Sequence, residues 1–407
     1  MLQGSEYRIK EYLTWLHRTD DFRIVMKRRP LIWTNKIKIL AACQVLTIIL
    51  TIMISITFFM SFGWIILLLL PWLLAYVIII PLLIGDIFVQ KPKEKWIISS
   101  AKQKLSQHSA KKIAIAGSYG KTTTKEVLKT ILSEGYKVAA TPGNMNTLIG
   151  TSRFIESLDG DEEIIIFELG ESNVGDIKQL CDLVRPDMGI ITGINQAHLA
   201  SFKTIENTVA TIFELQDFLG KKPLYKNGDD ELVMGRVDEH DPLLFTVRGI
   251  DDWKVTDSST SLHGTEFTIQ KNEKIVWAKT KLIGEHMLGV LALSVAVADR
   301  FGLNTSQIAN GLKNVKPFEH RMQPRRLHDA WIIDDTYNGN IQGVEAGLKL
   351  LKNVDAKRRV YVTPGLVEQG SETKAIHIKI GKLIANSADV AVLMDNSVTD
   401  YISEGLR

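Results

Sequence analysis

Between Ile39 and Gly85 the chain runs for 47 residues without one Asp, Glu, Lys or Arg. Two apolar runs fill this stretch, Ile39 to about Met60 and about Trp64 to Gly85, with Ser61-Phe62-Gly63 between them. Each matches the roughly 20 residues that cross a bilayer as a helix, and Gly63 suits a tight turn. Neither has the form of a cleavable signal, because a long segment precedes them and the apolar core is too extended. Before the first run stand Arg8, Lys10, Arg18, Arg23, Lys27, Arg28, Arg29, Lys36 and Lys38, and after the second come Lys91, Lys93 and Lys95. Basic residues mark the cytoplasmic side. The expectation is a two-pass helical hairpin in a membrane, with both flanks cytoplasmic. Pro71 and Pro81 leave a re-entrant or interfacial segment as the alternative, since proline frees backbone groups that lipid cannot satisfy. Residues 1–38 interleave Tyr7, Tyr12, Trp15, Phe22 and Trp33 with the basic positions. That pattern fits an amphipathic helix on an anionic lipid surface and equally a solvated juxtamembrane helix.

The 407 residues allow further domains beside the hairpin. With 49 Lys+Arg against 46 Asp+Glu, bulk charge gives no reason to expect nucleic acid as a partner. Cys43 and Cys181 lie far apart in different surroundings and build neither a disulfide framework nor a zinc site. After a linker over 86–110 the pattern becomes α/β. Short apolar runs at Lys112–Ala116, Ile164–Phe167 and Met188–Ile194 read as buried parallel strands, with helical spacing at Thr123–Leu132 and Thr204–Leu219. Shorter alternating runs and turn signals over about Leu224–Trp277 suggest an antiparallel insertion or edge. A core helix over Gly284–Gly302 precedes Val315-Lys316-Pro317, and a second α/β pattern begins at Trp331. A central domain over 111–315 and a second over 316–407 are expected.

The sharpest local signal is Gly117-Ser118-Tyr119-Gly120-Lys121-Thr122-Thr123 between a strand and a helix. Glycines let a backbone wrap phosphate oxygens, a helix N-terminus favours their charge, lysine reaches the β/γ phosphates and a following threonine holds Mg²⁺. The general phosphate-loop pattern asks for glycine at position 115, where Ile115 stands.

This loop resembles the shortened phosphate loop of the Mur ligases, ATP-dependent amide-forming enzymes of peptidoglycan precursor synthesis. The resemblance continues in order through the segment 141–150 (TPGNMNTLIG), Phe167-Glu168-Leu169-Gly170, the segment 191–199 (ITGINQAHL), Gly284-Glu285-His286, His320-Arg321-Met322-Gln323 and the segment 334–340 (DDTYNGN). The last string most resembles the MurF branch, which joins D-alanyl-D-alanine to the UDP-MurNAc-tripeptide. The resemblance implies an α/β fold with a phosphate-loop central domain and a Rossmann-like C-terminal domain, here preceded by the transmembrane hairpin. It implies ATP and Mg²⁺ as cofactors and reaction through an acyl phosphate.

Residue by residue, the resemblance implies that Gly117, Ser118, Tyr119, Gly120, Lys121, Thr122 and Thr123 bind nucleotide. Lys121 grips the β/γ phosphates, while Thr122, Glu168 and His198 hold the metal, with Lys121, Glu168 and His198 as the catalytic set. Asn144, Asn146 and Thr147 face the growing precursor. Arg321, Asp335, Tyr337 and Asn338 reach the nucleotide from the C-terminal domain. For each an ordinary structural role stands as the alternative: an Asn-rich turn at 144–146, a surface cation at Arg321, a core aromatic at Tyr337.

Four departures from the family pattern bear on function. Ile212 occupies the place of a metal-bridging carbamylated lysine, two residues before Glu214. The family's His-Asn-x-x-Asn helix start reads His286-Met287-Leu288-Gly289-Val290, so a usual adenine contact is replaced. The C-terminal domain is short. The basic segment and hairpin stand where the family carries a UDP-binding domain. The leading expectation is a membrane-tethered ligase of a nucleotide-sugar peptide with D-Ala-D-Ala or another amine, working against membrane lipid and beside other cell-wall enzymes. A relative with a lipid-linked or other acceptor is the second expectation, and a nucleotide-binding scaffold the third.

Overall fold

The computed structural model describes residues 7, 9–19, 31–58, 68–143, 145–195, 202–337, 339–367 and 369–407. The chain divides into two compact units, Met1–Ile97 and Ile98–Arg407.

In the first unit a helix spans Ile9–Arg18, and a longer one, Asn35–Phe58, covers the first apolar run. The second run is helical over Leu70–Val77 and Ile79–Gly85, continues through a π-helical turn at Asp86–Gln90 and runs on to Ser106. The stretch 91–106, expected to be linker, is therefore helix. Its last part belongs to the second unit, where Ala101 and Leu105 join the core. Two helices, Asn35–Thr57 and Leu70–Ser106, are long and apolar enough to cross a membrane. The expected turn at Ser61–Gly63 lies outside the described residues.

Both prolines are accommodated. Pro71 sits in the first turn of its helix, where no backbone donor is missed. Before Pro81 the helix loosens, with the Ile78 N–H reaching Leu74 O at 3.4 Å. Gln44 Nε2 donates to Leu74 O (3.2 Å) and Tyr12 Oη to Ala75 O (2.8 Å).

The second unit is built on one ten-stranded sheet. Its strands are β1 Lys111–Ala116, β2 Val138–Ala140, β3 Ile164–Glu168, β4 Met188–Ile191, β5 Leu224–Asn227, β6 Leu244–Thr246, β7 Gly249–Ile250, β8 Trp253–Ser261, β9 Gly264–Lys271 and β10 Lys274–Thr280. The order is β10-β9-β8-β7-β6-β5-β4-β1-β3-β2, parallel from β2 to β6 and antiparallel from β6 to β10. The alternating region expected as insertion or edge is thus the antiparallel continuation of the parallel sheet. The central strands are buried on both faces over Ile113–Ala116, Ile164–Phe167 and Met188–Ile191, so these stretches are unbroken apolar runs. One core packs the helices Lys121–Leu132, Met287–Arg300 and Thr305–Asn314 on one face; a second packs Leu148–Glu156, Asp176–Val184 and Ile205–Leu219 on the other.

Beyond Val315, β11 Gln323–Leu327 pairs antiparallel with β12 Ala330–Asp334. β13 Val360–Thr363 pairs in parallel with β14 Val390–Leu393. The helices Ile341–Asn353, Thr373–Ala385 and Thr399–Leu406 supply their core.

Candidate active site

In the sheet order β5-β4-β1-β3-β2 the connection after β1 runs toward β2 and that after β4 runs the opposite way to β5, and such a switch point opens a crevice at the carboxyl ends of the strands. The loop after β1 lies in this crevice. Gly117 (φ 139°) and Gly120 (φ 81°) adopt backbone conformations that side chains resist. A Cβ at Gly117 would also stand 2.3 Å from Thr192 Oγ1. The Ser118 N–H donates to Gly193 O (2.7 Å), tying the loop to the end of β4. Ile115 is a fully buried residue of β1, so the loop begins only after Ala116.

Lys121 opens the following helix. Its Nζ donates to Gly117 O within the loop and to both carboxylate oxygens of Glu171, at 2.9 and 3.2 Å. Ser118 Oγ is buried with no hydrogen-bond partner. Tyr119 sends its side chain away from the loop mouth: its hydroxyl donates to Asp230 Oδ2 (2.7 Å), which also accepts from the Ile194 N–H (3.0 Å). Burial, then the Asp230 charge, pushes the phenol far above its ordinary value. Thr123 is buried in the helix.

Glu168 ends β3 and is buried. Its Oε1 accepts from Asn146 Nδ2 (3.1 Å); its Oε2 accepts no hydrogen bond and lies 3.3 Å from Lys125 Nζ. Lys125 is fully buried one turn beyond Lys121, and its ammonium donates to Thr141 O (2.7 Å) and Gly143 O (3.3 Å) in the loop that carries Asn146. Thr147 has a local task, since its hydroxyl accepts from the Gly150 N–H (3.2 Å) and caps the helix Leu148–Glu156. Asn144, His198 and Asn338 lie outside the described residues.

From the C-terminal part, Arg321 Nη2 donates to Thr122 Oγ1 (3.4 Å), and its guanidinium stands 4.5 Å from the centre of the Tyr337 ring. Asp335 Oδ1 accepts from the Met322 N–H (3.1 Å). Burial raises the Asp335 carboxyl, against the lowering effects of that N–H and of the Arg321 charge. Gln342 Oε1 accepts from Asn195 Nδ2 at 3.4 Å, a second link between the two parts. Arg321 therefore stands beside Thr122, with Tyr337 against its guanidinium and Asp335 against the Met322 N–H.

Of the departures, Ile212 is fully buried in the core and leaves no side chain for the crevice. Met287 and Val290 pack partly buried against the other core. Glu214 receives the Gly175 N–H (3.0 Å) and the Lys178 N–H (2.8 Å), which commits it to the start of the helix Asp176–Val184. Reasoning from sequence missed Lys125, Glu171, Asp230 and Gln342. A lysine on an otherwise buried helix face and a glutamate three residues after Glu168 were the available signals.

The donor set fits a nucleotide with its divalent cation. Glycine amides and a lysine are the groups that suit phosphate, and hydroxyl and carboxylate oxygens suit Mg²⁺. Residues 115–298 match the Mur ligase middle domain. The chain is similar to MurF proteins. It is 25% identical over 307 residues to the UDP-N-acetylmuramoyl-tripeptide–D-alanyl-D-alanine ligase of Bacillus subtilis, covering 75% of this chain and 67% of the relative. To the ligase of the same name from Treponema pallidum it is 30% identical over 288 residues, covering 69% of this chain and 60% of the relative. The crystal structure of MurF from Thermotoga maritima in complex with ADP superposes with a TM-score of 0.68 at 26% identity, covering 76% of this chain and 72% of that one. The chain thus spans about two thirds of the length of these relatives.

Proposed function

We propose that the chain is an ATP-dependent acid–amino-acid ligase of peptidoglycan precursor synthesis, adding D-Ala-D-Ala to the UDP-MurNAc-tripeptide. The observation that carries the reading is the crevice itself: a phosphate loop with a buried, unpartnered Ser118 hydroxyl, followed by a helix that carries Lys121 and Thr122. A buried polar atom without a partner is rare in folded chains, and a bound nucleotide would satisfy this one.

In this reading the loop amides and Lys121 hold the β/γ phosphates, and Arg321 closes on them from the C-terminal part. The substrate carboxylate attacks the γ-phosphorus and ADP leaves. The amine then attacks the acyl carbon of the acyl phosphate, inorganic phosphate departs and the amine loses a proton. The protein contributes position and charge neutralisation more than covalent chemistry. Thr122, Glu168 and His198 would hold Mg²⁺, which supplies Lewis-acid polarisation of the transferred phosphoryl group. Asn146, fixed by its bond to Glu168, and Asn144 face the precursor. Asp335 and Tyr337, with Asn338, belong to the nucleoside side. Segments 111–315 and 316–407 act as the central and the Rossmann-like C-terminal domains.

The two apolar helices form a membrane hairpin in this reading, with both flanks cytoplasmic. Val45, Leu46, Ile49, Ile56, Trp72 and Ile80 are exposed along them, as lipid-facing side chains are. The same helices favour a second reading, a lipid-linked acceptor in place of the soluble nucleotide sugar.

The test is phosphate release by the detergent-solubilised chain with ATP, Mg²⁺, UDP-MurNAc-tripeptide and D-Ala-D-Ala, beside Lys121→Ala. Release is expected to need both substrates and to fall by at least about a hundredfold in the variant, the scale on which charge-stabilising groups act. Turnover only with a lipid-linked acceptor selects the second reading. Nucleotide binding without turnover on either acceptor refutes both.

A further inference from the structure

Arg321 stands in a turn that its own neighbours disfavour. The residues on either side of it are both left-handed, His320 at φ 59° and Met322 at φ 46°. Residues with side chains seldom adopt that region, histidine more readily than methionine. Two of them around one arginine persist only where the surroundings fix them.

The fixing comes from 334–337. The β11–β12 ladder has Gln323 opposite Asp334, so the chain beyond Asp334 runs back alongside 320–322. The Tyr337 N–H donates to His320 O (3.0 Å), and the Met322 N–H donates to Asp335 Oδ1 (3.1 Å). The Tyr337 ring lies 4.5 Å from the Arg321 guanidinium. Asp334 is the buried charge in this arrangement, its side chain 8% exposed. Its Oδ2 accepts from His320 Nδ1 (2.9 Å) and pairs with Arg325, while its Oδ1 accepts from the Thr336 hydroxyl (2.7 Å) and N–H (3.3 Å). The other His320 nitrogen is 3.6 Å from Glu319, which is exposed. A strained turn held this firmly fixes the base of the arginine before any ligand arrives, so less freedom is lost when the guanidinium binds an anion.

We propose that Asp334 is a positioning residue for the nucleotide phosphates, acting through His320 to hold the strained turn that aims Arg321 at the phosphate loop. The carboxylate itself touches no ligand in this role. The role rests on the nucleotide-binding reading of the loop and of Arg321, and is indifferent to which acceptor is ligated.

Titration calorimetry of the detergent-solubilised full chain with AMP-PNP and Mg²⁺ tests it, because a dissociation constant and a number of sites are read separately. Asp334→Asn keeps the shape and removes the charge; His320→Gly removes the ring and suits a left-handed residue. Each is expected to weaken AMP-PNP about tenfold with the number of sites unchanged, the scale of one hydrogen bond to a charged group. In an Arg321→Ala background the same substitutions are expected to change affinity by less than about twofold, since the group they position is gone. Arg325→Met, which removes the other cation on Asp334 from a half-exposed position, is expected to stay within about twofold of the parent. Equal losses with and without Arg321 overturn the proposal, as does an Arg321→Ala chain that binds as the parent does. Fewer sites at unchanged affinity overturn it in favour of a structural role, and a loss in Arg325→Met as large as that in Asp334→Asn moves the role to Arg325. Failure of the parent to bind AMP-PNP refutes the nucleotide reading and this proposal with it. The expected pattern in a chain that turns over no acceptor refutes the ligase reading and supports this proposal.

Discussion

Lys125→Met probes the electrostatic centre of the crevice. Methionine keeps most of the volume and the unbranched stem of a fully buried lysine, so the packing against the core is preserved and the charge is removed. Four contacts are lost: the hydrogen bonds to Thr141 O (2.7 Å) and Gly143 O (3.3 Å), and the ion pairs to Glu126 Oε1 and Glu168 Oε2, each at 3.3 Å. They do not weigh equally. Glu126 is one-third exposed and turns to water at little expense, whereas the Glu168 side chain is 4% exposed and stays where it is. A buried carboxylate deprived of its cation is destabilising by about 3–5 kcal/mol. At roughly 2–4 °C per kcal/mol for a unit of this size, the thermal midpoint is expected to drop by about 10 °C. Followed by tryptophan fluorescence in detergent at a fixed scan rate, the midpoint should rise again when Glu168→Gln is added, because the second change removes the stranded charge. A coupling of about 1–3 kcal/mol between the two substitutions is expected. A loss below about 1 kcal/mol for Lys125→Met, or strict additivity with Glu168→Gln, would refute the claim that Lys125 balances Glu168.

Two further outcomes follow from particular contacts. A Cβ at Gly193 would come within 2.3 Å of the Tyr119 ring. Gly193→Ala is therefore expected to cost about 1–3 kcal/mol of stability by overpacking and to weaken ADP binding through the displaced loop, with Tyr119→Ser relieving both; calorimetry and ADP titration read the two effects. Glu162 supplies the pH dependence. Burial raises its carboxyl, but the His108 ring and the N–H groups of Asp159, Gly160 and Glu162 itself more than reverse this and hold it at about 2. A carboxyl lowered on folding stabilises the chain above its unfolded value and loses that contribution as pH falls toward its folded value. Stability lost between about pH 4.5 and pH 2 should thus be smaller by roughly 2–3 kcal/mol in Glu162→Gln than in the parent, compared by denaturant titration across that range.

What the sequence announced and what it hid divide along a physical line. β1, its glycine loop and the helix from Lys121 were legible because each is dictated locally: a strand buried on both faces must be apolar throughout, and Gly117 and Gly120 adopt angles that other residues resist. β2 was not, since three residues carry no periodicity, and Val138–Ala140 is a strand only because β3 lies beside it. The stretch Lys91–Ser106 lay within the expected linker. Its helix is fixed by Ala101 and Leu105 in the core and by Lys104, whose ammonium donates to Glu156 O (2.6 Å) and Leu158 O (2.8 Å), contacts more than fifty residues away in sequence. The site repeats the division. Lys121, Thr122, Glu168 and Asn146 were expected from the motifs that contain them. Lys125 and Glu171 were not, because a lysine one turn along a helix and a glutamate past a strand mean nothing until the fold turns each toward a partner. The crevice is two crossed ion pairs, Lys121 with Glu171 and Lys125 with Glu168, and only one member of each lay in a motif-assigned role. The second members decide how strongly the first can be drawn toward a phosphate or a cation, so the chemistry of this crevice is set as much by the unannounced halves of those pairs as by the motifs themselves.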